Sequence, residues 1–239
     1  MTLGTQSPKC AMTVSHVLKG IIDTYSAELN TILAGSNNYQ PKDPFYAFRL
    51  MDKYISEGVQ PVCIILGQDP YPQKGVPTGI AFANRADWVA SQGGPSPSLA
   101  VIIHSLRRLY CEKEDKTLQD LDTRTFDVSL ESWIKQGILP LNSALTVEPG
   151  KPGSHSLVWA KPMRDIIIRI TKAYPDLCWI MLGSQATLYK SLIPSSSFVL
   201  FDNHPSWYAR VNTAMPTRVW REAEGYCKVH FNKEIHWFN

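Results

Sequence analysis

At Gly67-Gln68-Asp69-Pro70-Tyr71 a carboxylate and an aromatic ring follow directly on the apolar run Val62-Cys63-Ile64-Ile65-Leu66. Continuous apolar runs of that length mark central strands of a parallel sheet, and open α/β sheets bind ligands in the crevice outside the carboxyl ends of such strands. Asp69 therefore stands where chemistry is usually done. Gly, Asp and Pro are also ordinary turn formers, so this segment alone serves equally well as a capped turn. Three further apolar runs end in the same way. Residues 138–141 lead to Asn142 and Ser143, 177–182 to Gly183 and Ser184, and 198–201 to Asn203 and His204. In a parallel sheet all four groups meet at one edge. A carboxylate, a carboxamide, a hydroxyl and an imidazole in one cleft suit the binding of a polar planar ligand, with acid–base or electrostatic chemistry on it. A lone histidine is more often structural, and its register with three other strand-end groups reverses that expectation.

The elements that must position these groups follow from apolar spacing. Between residues 11 and 33 the apolar positions Val14, Val17, Leu18, Ile21, Ile22, Tyr25, Leu29, Ile32 and Leu33 recur every three or four residues before Gly35, which predicts an amphipathic helix with a glycine stop. A second helix is expected around 45–55. A long Gly/Pro/Ser loop spans 67–97, and Leu99, Ile102, Ile103, Leu106 and Leu109 mark the helix after it. The charged segment 112–127 reads as a surface excursion. Helical patterns over 159–174 and 217–231 separate and follow the later strands, and a tail containing Ile235-His236-Trp237 closes the chain. Strands alternating with helices imply an α/β fold: a single domain over 1–239, built on a mainly parallel, four-stranded sheet flanked by helices, with 1–44 a helical region that carries no motif.

Composition adds bounds. With 239 residues, 44% hydrophobic and 19% charged, the chain is an ordinary globular protein, which excludes disordered and fibrous classes. A net charge of +3 permits a nucleic-acid partner without requiring one, because such a footprint is a local patch rather than a total. The cysteines Cys10, Cys63, Cys111, Cys178 and Cys227 form no C-x-x-C pair and read as reduced, mostly structural thiols of an intracellular protein. No cationic segment precedes a long apolar one, and no apolar stretch has the length of a membrane span, so a soluble, unexported chain is expected.

Six segments, in order, are similar to the family 1 uracil-DNA glycosylases: Gly67-Gln68-Asp69-Pro70-Tyr71, Gly79-Ile80-Ala81-Phe82, Pro95-Ser96-Pro97-Ser98-Leu99, the run from Gly137 to Val147, Leu182-Gly183-Ser184, and His204-Pro205-Ser206. The resemblance covers residue 45 to the end. It implies hydrolysis of the N-glycosidic bond between uracil and deoxyribose in DNA, with the nucleotide first extruded from the duplex. It also implies the roles. Asp69 and His204 are catalytic: Asp69 as carboxylate stabilises the sugar cation and orients water, and His204 bonds the uracil oxygen that gains charge. Asn142 reads the base edge, Phe82 stacks on it, Tyr71 blocks the C5 methyl of thymine, and Gln68 completes the pocket. Pro95, Ser96, Pro97, Ser98, Ser184, Ser206, Trp207, Tyr208 and Arg210 are implied as DNA contacts. No metal or cofactor is implied. The partner is uracil-containing DNA, single- or double-stranded, the protein a monomer located with the DNA inside the cell, and a protein inhibitor or a replication machine is a further candidate partner. Taken alone, Phe82 could equally be a core aromatic and Trp207 a packed loop anchor.

The chain departs from the family pattern at Pro72, where most members carry His, and at Trp207-Tyr208-Ala209-Arg210, where the family usually continues Pro-Leu-Ser with a leucine wedge. The family's basic residue after the wedge has no clear counterpart, although Arg210 and Arg218 are near. Trp207 and Tyr208 are expected to form an aromatic wedge, with Tyr208 in the leucine's place. Two rival readings stand beside this one: a glycosylase for a modified pyrimidine, suggested by Pro72 and the altered wedge, and a non-catalytic DNA- or partner-binding relative, against which Asp69, Asn142 and His204 argue.

Overall fold

The structure, a computed structural model, describes residues 8–114 and 126–238; of residues 8–16 and 114 it describes the backbone alone. Cys10, Val14 and most of the charged segment 112–127 thus lie outside the described side chains or residues. The elements run α1 (Pro8–Ile32), α2 (Tyr46–Ser56), β1 (Cys63–Gly67), α3 (Ala86–Gln92), α4 (Pro97–Glu114), α5 (Glu131–Ile134), β2 (Ile138–Asn142), α6 (Ser156–Ala173), β3 (Cys178–Leu182), α7 (Ser184–Thr187), β4 (Phe198–Asp202), α8 (Pro205–Val211) and α9 (Arg218–Phe231).

The four strands are all parallel, in the order β2-β1-β3-β4. Burial explains their composition. β1 and β3 are central and buried at every position, so they read as unbroken apolar runs, whereas β4, at an edge, is buried only at Leu200. Pro140, which has no N–H for a ladder, falls on β2, the other edge strand, beside Ile65. From β1 the chain crosses to β2 on one side, and from β3 to β4 on the other. The adjacent strands β1 and β3 therefore part company at their carboxyl ends, which is the topological switch point where an α/β sheet opens a crevice.

Helix α1 buries Leu18, Ile21 and Tyr25, and packs on α2 and α6. The tail is part of the core. Trp237 and Phe238 close an aromatic cluster with Trp133, Trp220 and Phe126, and the Trp133 indole donates to the Trp237 carbonyl at 3.2 Å. Cys63, Cys178 and Cys227 are buried free thiols and Cys111 is a partly buried one. Among the described residues no helix is long and apolar enough to cross a membrane. The short helices α3, α5 and α8 were hidden in the sequence; α3 lies within the expected 67–97 loop and buries none of its residues, so it left no apolar period to read.

Candidate active site

The crevice at the carboxyl ends of β1 and β3 is a solvent-open cavity of about 250 Å³, lined among others by Gln68, Asp69, Tyr71, Phe82, Ser98, Asn142, His204, Ser206 and Arg210. Each arrives there for a local reason. Gly67 and Asn142 are register partners at the ends of β1 and β2. The loop after β1 is stitched to the end of β2, because Ser143 donates its amide to the Gly67 carbonyl (3.2 Å) and its hydroxyl to the Gln68 carbonyl (2.8 Å). Ser143 is thus a bracket rather than a ligand-facing group. The Asn142 carboxamide has no hydrogen-bond partner among the described residues and faces the cavity wall unpaired.

Two glycines are dictated by contact. A Cβ at Gly67 would meet Phe82 Cζ at 2.6 Å, so only glycine lets that ring lie across the end of β1. A Cβ at Gly183, which has φ +90°, would meet His204 Cβ at 2.8 Å, so the end of β3 is bare where the histidine backs onto it. Phe82 itself has φ +65°, a conformation that costs of order 1 kcal/mol or more in a non-glycine residue and collects at functional sites. It is held there by Tyr71, whose hydroxyl donates to the Phe82 carbonyl at 2.8 Å; burial pushes that phenol's pKa well up. The Phe82 and His204 rings lie 5.6 Å apart, inclined at 35°.

The electrostatics are set by burial and by hydrogen bonds. Asp69 Oδ2 accepts the Gly153 amide at 2.6 Å. Burial raises the Asp69 carboxyl above its ordinary pKa, opposed by the amides of Gly153 and of Asp69 itself. His204 caps α8: the Ser206 amide donates to Nδ1 at 3.2 Å, and the Ser206 hydroxyl lies 2.8 Å from the same atom. A backbone N–H can only donate, so Nδ1 is an acceptor and the ring proton sits on Nε2. Burial, with the Arg210 charge second, lowers the His204 pKa from 6.5 to about 4. The histidine is a neutral imidazole with a fixed N–H donor.

The structure brings Asp69, His204, Gln68, Tyr71, Phe82, Asn142, Ser98, Ser206 and Arg210 together at one cavity. Others it places elsewhere. Ser96 is buried, with its amide on Asn84 Oδ1 (2.7 Å) and its hydroxyl accepting from Asn84 Nδ2 (2.9 Å), so the side chain implied as a phosphate contact is an internal brace. Pro95 and the exposed Pro97 flank it, and Pro97 and Ser98 open α4 at the cavity's edge. Ser184 is exposed and lines a neighbouring shallow groove with Thr187, Leu188 and Asp202. Asn203 is exposed and turns into that groove as well.

The aromatic pair corrects the expectation most sharply. Tyr208 is a buried residue of α8, the helix that packs against α4, and its hydroxyl donates to Asp202 Oδ1. Burial and that bond push its pKa up to about 12. A residue held in this way is not free to enter a duplex, so Tyr208 is not the wedge. Trp207, 40% exposed and edge-on to Tyr208 at 5.0 Å, is the aromatic that α8 offers to solvent. Arg218 is engaged by the Phe201 carbonyl and Glu222, leaving Arg210 as the cation at the cavity.

Two residues escaped sequence reasoning. Gly153 holds Asp69, and its only signal was the turn-forming run Glu148-Pro149-Gly150-Lys151-Pro152-Gly153 after β2. Gln40 lies just behind the cavity and carried no signal.

No family model matches the chain. It is similar to "Uracil-DNA glycosylase" of Mesomycoplasma hyopneumoniae (strain 7448), 30% identical over 178 residues that cover 73% of this chain and 73% of the relative. The protein of the same name from Borreliella burgdorferi (strain ZS7) is 32% identical over 174 residues, covering 72% of this chain and 71% of the relative. Among solved structures, the crystal structure of mimivirus uracil-DNA glycosylase superposes with a TM-score of 0.69 at 22% identity, covering 99% of this chain and 95% of that one. A mimivirus variant in complex with UGI superposes with the same score over 91% of this chain and 82% of that one.

Proposed function

The chain belongs to the uracil-DNA glycosylases and excises uracil from DNA, and we propose that Asp69, Asn142 and His204, in the crevice between β1 and β3, carry that reaction. The observation that carries the assignment is the fixed neutral imidazole of His204 in the same cavity as an unpaired carboxamide and a half-buried carboxylate. Water adds to the anomeric carbon of the deoxyribose as the bond from that carbon to uracil N1 breaks. The sugar passes through an oxocarbenium-like state and the base departs as an anion. Asp69 is then the carboxylate that offsets the cation, orients the attacking water and accepts the proton it sheds as its oxygen bonds to the anomeric carbon, with one carboxylate oxygen held by Gly153. His204 donates from Nε2 to the uracil oxygen that gains charge, a preorganised role that a neutral ring performs without a proton transfer. No step calls on a metal or cofactor.

Specificity follows from shape and from hydrogen-bond direction. The Asn142 amide accepts from uracil N3–H and donates to O4, a pattern that cytosine reverses. Phe82 gives the base a face to stack on, and Tyr71, tethered at its hydroxyl, fills the C5 side. Asn142→Asp should therefore erode discrimination, because a carboxylate accepts from cytosine N4–H₂ where the amide opposed it. Release of cytosine from an oligonucleotide should rise roughly 5- to 150-fold, the range of one base-edge hydrogen-bond pair. Tyr71→Ala should admit thymine. If both variants fold and neither gains activity on the new base, the pocket assignment is wrong.

The DNA path is assigned to the start of α4 at Pro97 and Ser98, with Pro95 beside it, to Ser184 and Ser206, and to Arg210. Trp207 is assigned as the wedge that keeps the stack open after flipping, replacing the family's leucine. Unstacking costs a few kcal/mol per step in a duplex and nothing comparable in a single strand. Trp207→Ala should thus lose roughly tenfold or more on uracil paired with adenine while changing little on single-stranded substrate. Tyr208→Phe is the contrast: it breaks the bond to Asp202, lowers stability by about 1 kcal/mol, or about 2–4 °C in Tm, and affects both substrates in proportion. Equal losses on the two substrates for Trp207→Ala, without loss of stability, would remove the wedge.

The chain is assigned as one monomeric domain over 1–239, with 1–44 joined to it through the packing of α1 on α2 and α6. Uracil-containing DNA inside the cell is its partner. A protein inhibitor is a second partner, a reading supported by the mimivirus structure in complex with UGI.

A further inference from the structure

We infer that Gln40 is a positioning residue that sets the width of the uracil pocket on its C5 side. The inference rests on the role given above to Tyr71.

Gln40 is buried and is not among the residues lining the cavity, yet its side chain makes three hydrogen bonds to the loop that carries Tyr71. Nε2 donates to the carbonyls of Tyr71 and Gln73, each at 2.9 Å, and Oε1 accepts the Gly75 amide at 3.1 Å. The reverse orientation of the amide would set Oε1 against two carbonyl oxygens, so the network dictates which atom is nitrogen. The backbone of Gln40 is fixed in turn. Its N–H and C=O pair with Val147, each at 2.9 Å, in an isolated antiparallel bridge. Val147 leads into the turn that supplies Gly150, which donates to the Pro72 carbonyl at 2.8 Å, and Gly153, which holds Asp69.

Tyr71 is therefore fastened at two points. Its hydroxyl is tied to Phe82 and its backbone carbonyl to Gln40. Without the second tie the Tyr71 backbone is free to shift about the hydroxyl bond, which lets the ring yield to a substituent at C5. The Gly150 amide holds the next carbonyl, Pro72, and the Val76 amide that of Gln73, but among the described residues Gln40 is the side chain that bonds the Tyr71 carbonyl itself and joins it to Gln73 and Gly75. The positioning acts on a substituent at C5 and leaves the Asn142 and His204 contacts alone, so it is a device for selectivity.

The test uses three single-stranded oligonucleotides, carrying uracil, 5-fluorouracil or 5-bromouracil at one position. Fluorine is scarcely larger than hydrogen, whereas bromine has the size of thymine's methyl group. The readout is the ratio of kcat/KM between substrates for the same protein, which does not depend on how much of a preparation is folded. In Gln40→Met, which keeps length and loses all three bonds, the 5-bromouracil-to-uracil ratio should rise about tenfold, with the 5-fluorouracil-to-uracil ratio unchanged within about twofold. Gln40→Glu supplies the second arm. As a carboxylate it opposes two carbonyls and should behave like Gln40→Met, and as pH falls and it becomes protonated it regains a donor, so its bromo ratio should return toward the wild-type value. Unchanged ratios in both variants, or equal shifts for fluorine and bromine, would overturn the inference. Wild-type protein that releases no uracil at all would instead overturn the function proposed above.

Discussion

Asp69→Asn should slow uracil release by roughly 10²- to 10³-fold while leaving the affinity for uracil-containing DNA nearly unchanged. The reason lies in when the charge matters. In the ground state the deoxyribose is neutral and a carboxylate beside it contributes little to binding. In the transition state the sugar carries positive charge, and a preorganised anion beside it, with the base filling the cavity and displacing water, then contributes several kcal/mol. Asparagine keeps the shape and one oxygen for the Gly153 amide, so the local geometry survives and the charge alone is lost. Single-turnover rates and equilibrium binding on the same oligonucleotide separate the two quantities. A variant that turns over at a near-normal rate would contradict the mechanism, and one that fails to bind would mean that Asp69 holds substrate rather than acting on it.

His204→Ala should cost a comparable amount, roughly 10²- to 10³-fold in the chemical step, as expected for removing one donor from a site of developing negative charge. The wild-type pH profile then reports how that donor works. Burial places the His204 pKa at about 4, so the ring is neutral across the range where a free imidazole titrates. Activity that depends on the neutral ring is present above about pH 4 and lost as pH falls through it, so the rate should stay level between about pH 6 and 8. A charged imidazole acting as general acid would give the opposite slope, with activity falling as pH rises through an ordinary histidine pKa. Stability carries the same signature. The unfolded chain, with its histidine near 6.5, binds the proton that the folded site refuses, so stability should decline as pH drops from about 6.5 toward 4. His204→Ala should flatten that decline.

Much of this site could be read from the sequence because its parts stand at strand ends. An apolar run followed at once by polar residues locates Asp69, Asn142 and His204 before any tertiary contact is known, and parallel strands then send all three to one edge. What could not be read depends on contacts between distant segments. Gln40 acts through three hydrogen bonds to residues 31 to 35 positions away and Gly153 through one across 84, and neither has a side-chain chemistry that announces it. Ser96 has the composition of a loop contact and becomes an internal brace only because Asn84 arrives beside it. The sequence puts Trp207 and Tyr208 forward as a joint wedge because they follow His204-Pro205-Ser206, with Tyr208 in the place of the family's leucine. Once α8 forms they point to different faces, Tyr208 inward with its hydroxyl on Asp202 and Trp207 toward solvent. Helix α3 shows the limit from the other side: with no buried residue it had no pattern to betray it.

The most direct test is a crystal structure of Asp69→Asn bound to a short single strand with one uracil. The flipped base should lie in the β1–β3 crevice with its face on Phe82, its N3 and O4 edge on the Asn142 amide, and the opposite carbonyl oxygen on His204 Nε2. A base bound in the groove beside Ser184, or seated in the crevice with its sugar toward Asn142, would contradict the assignment.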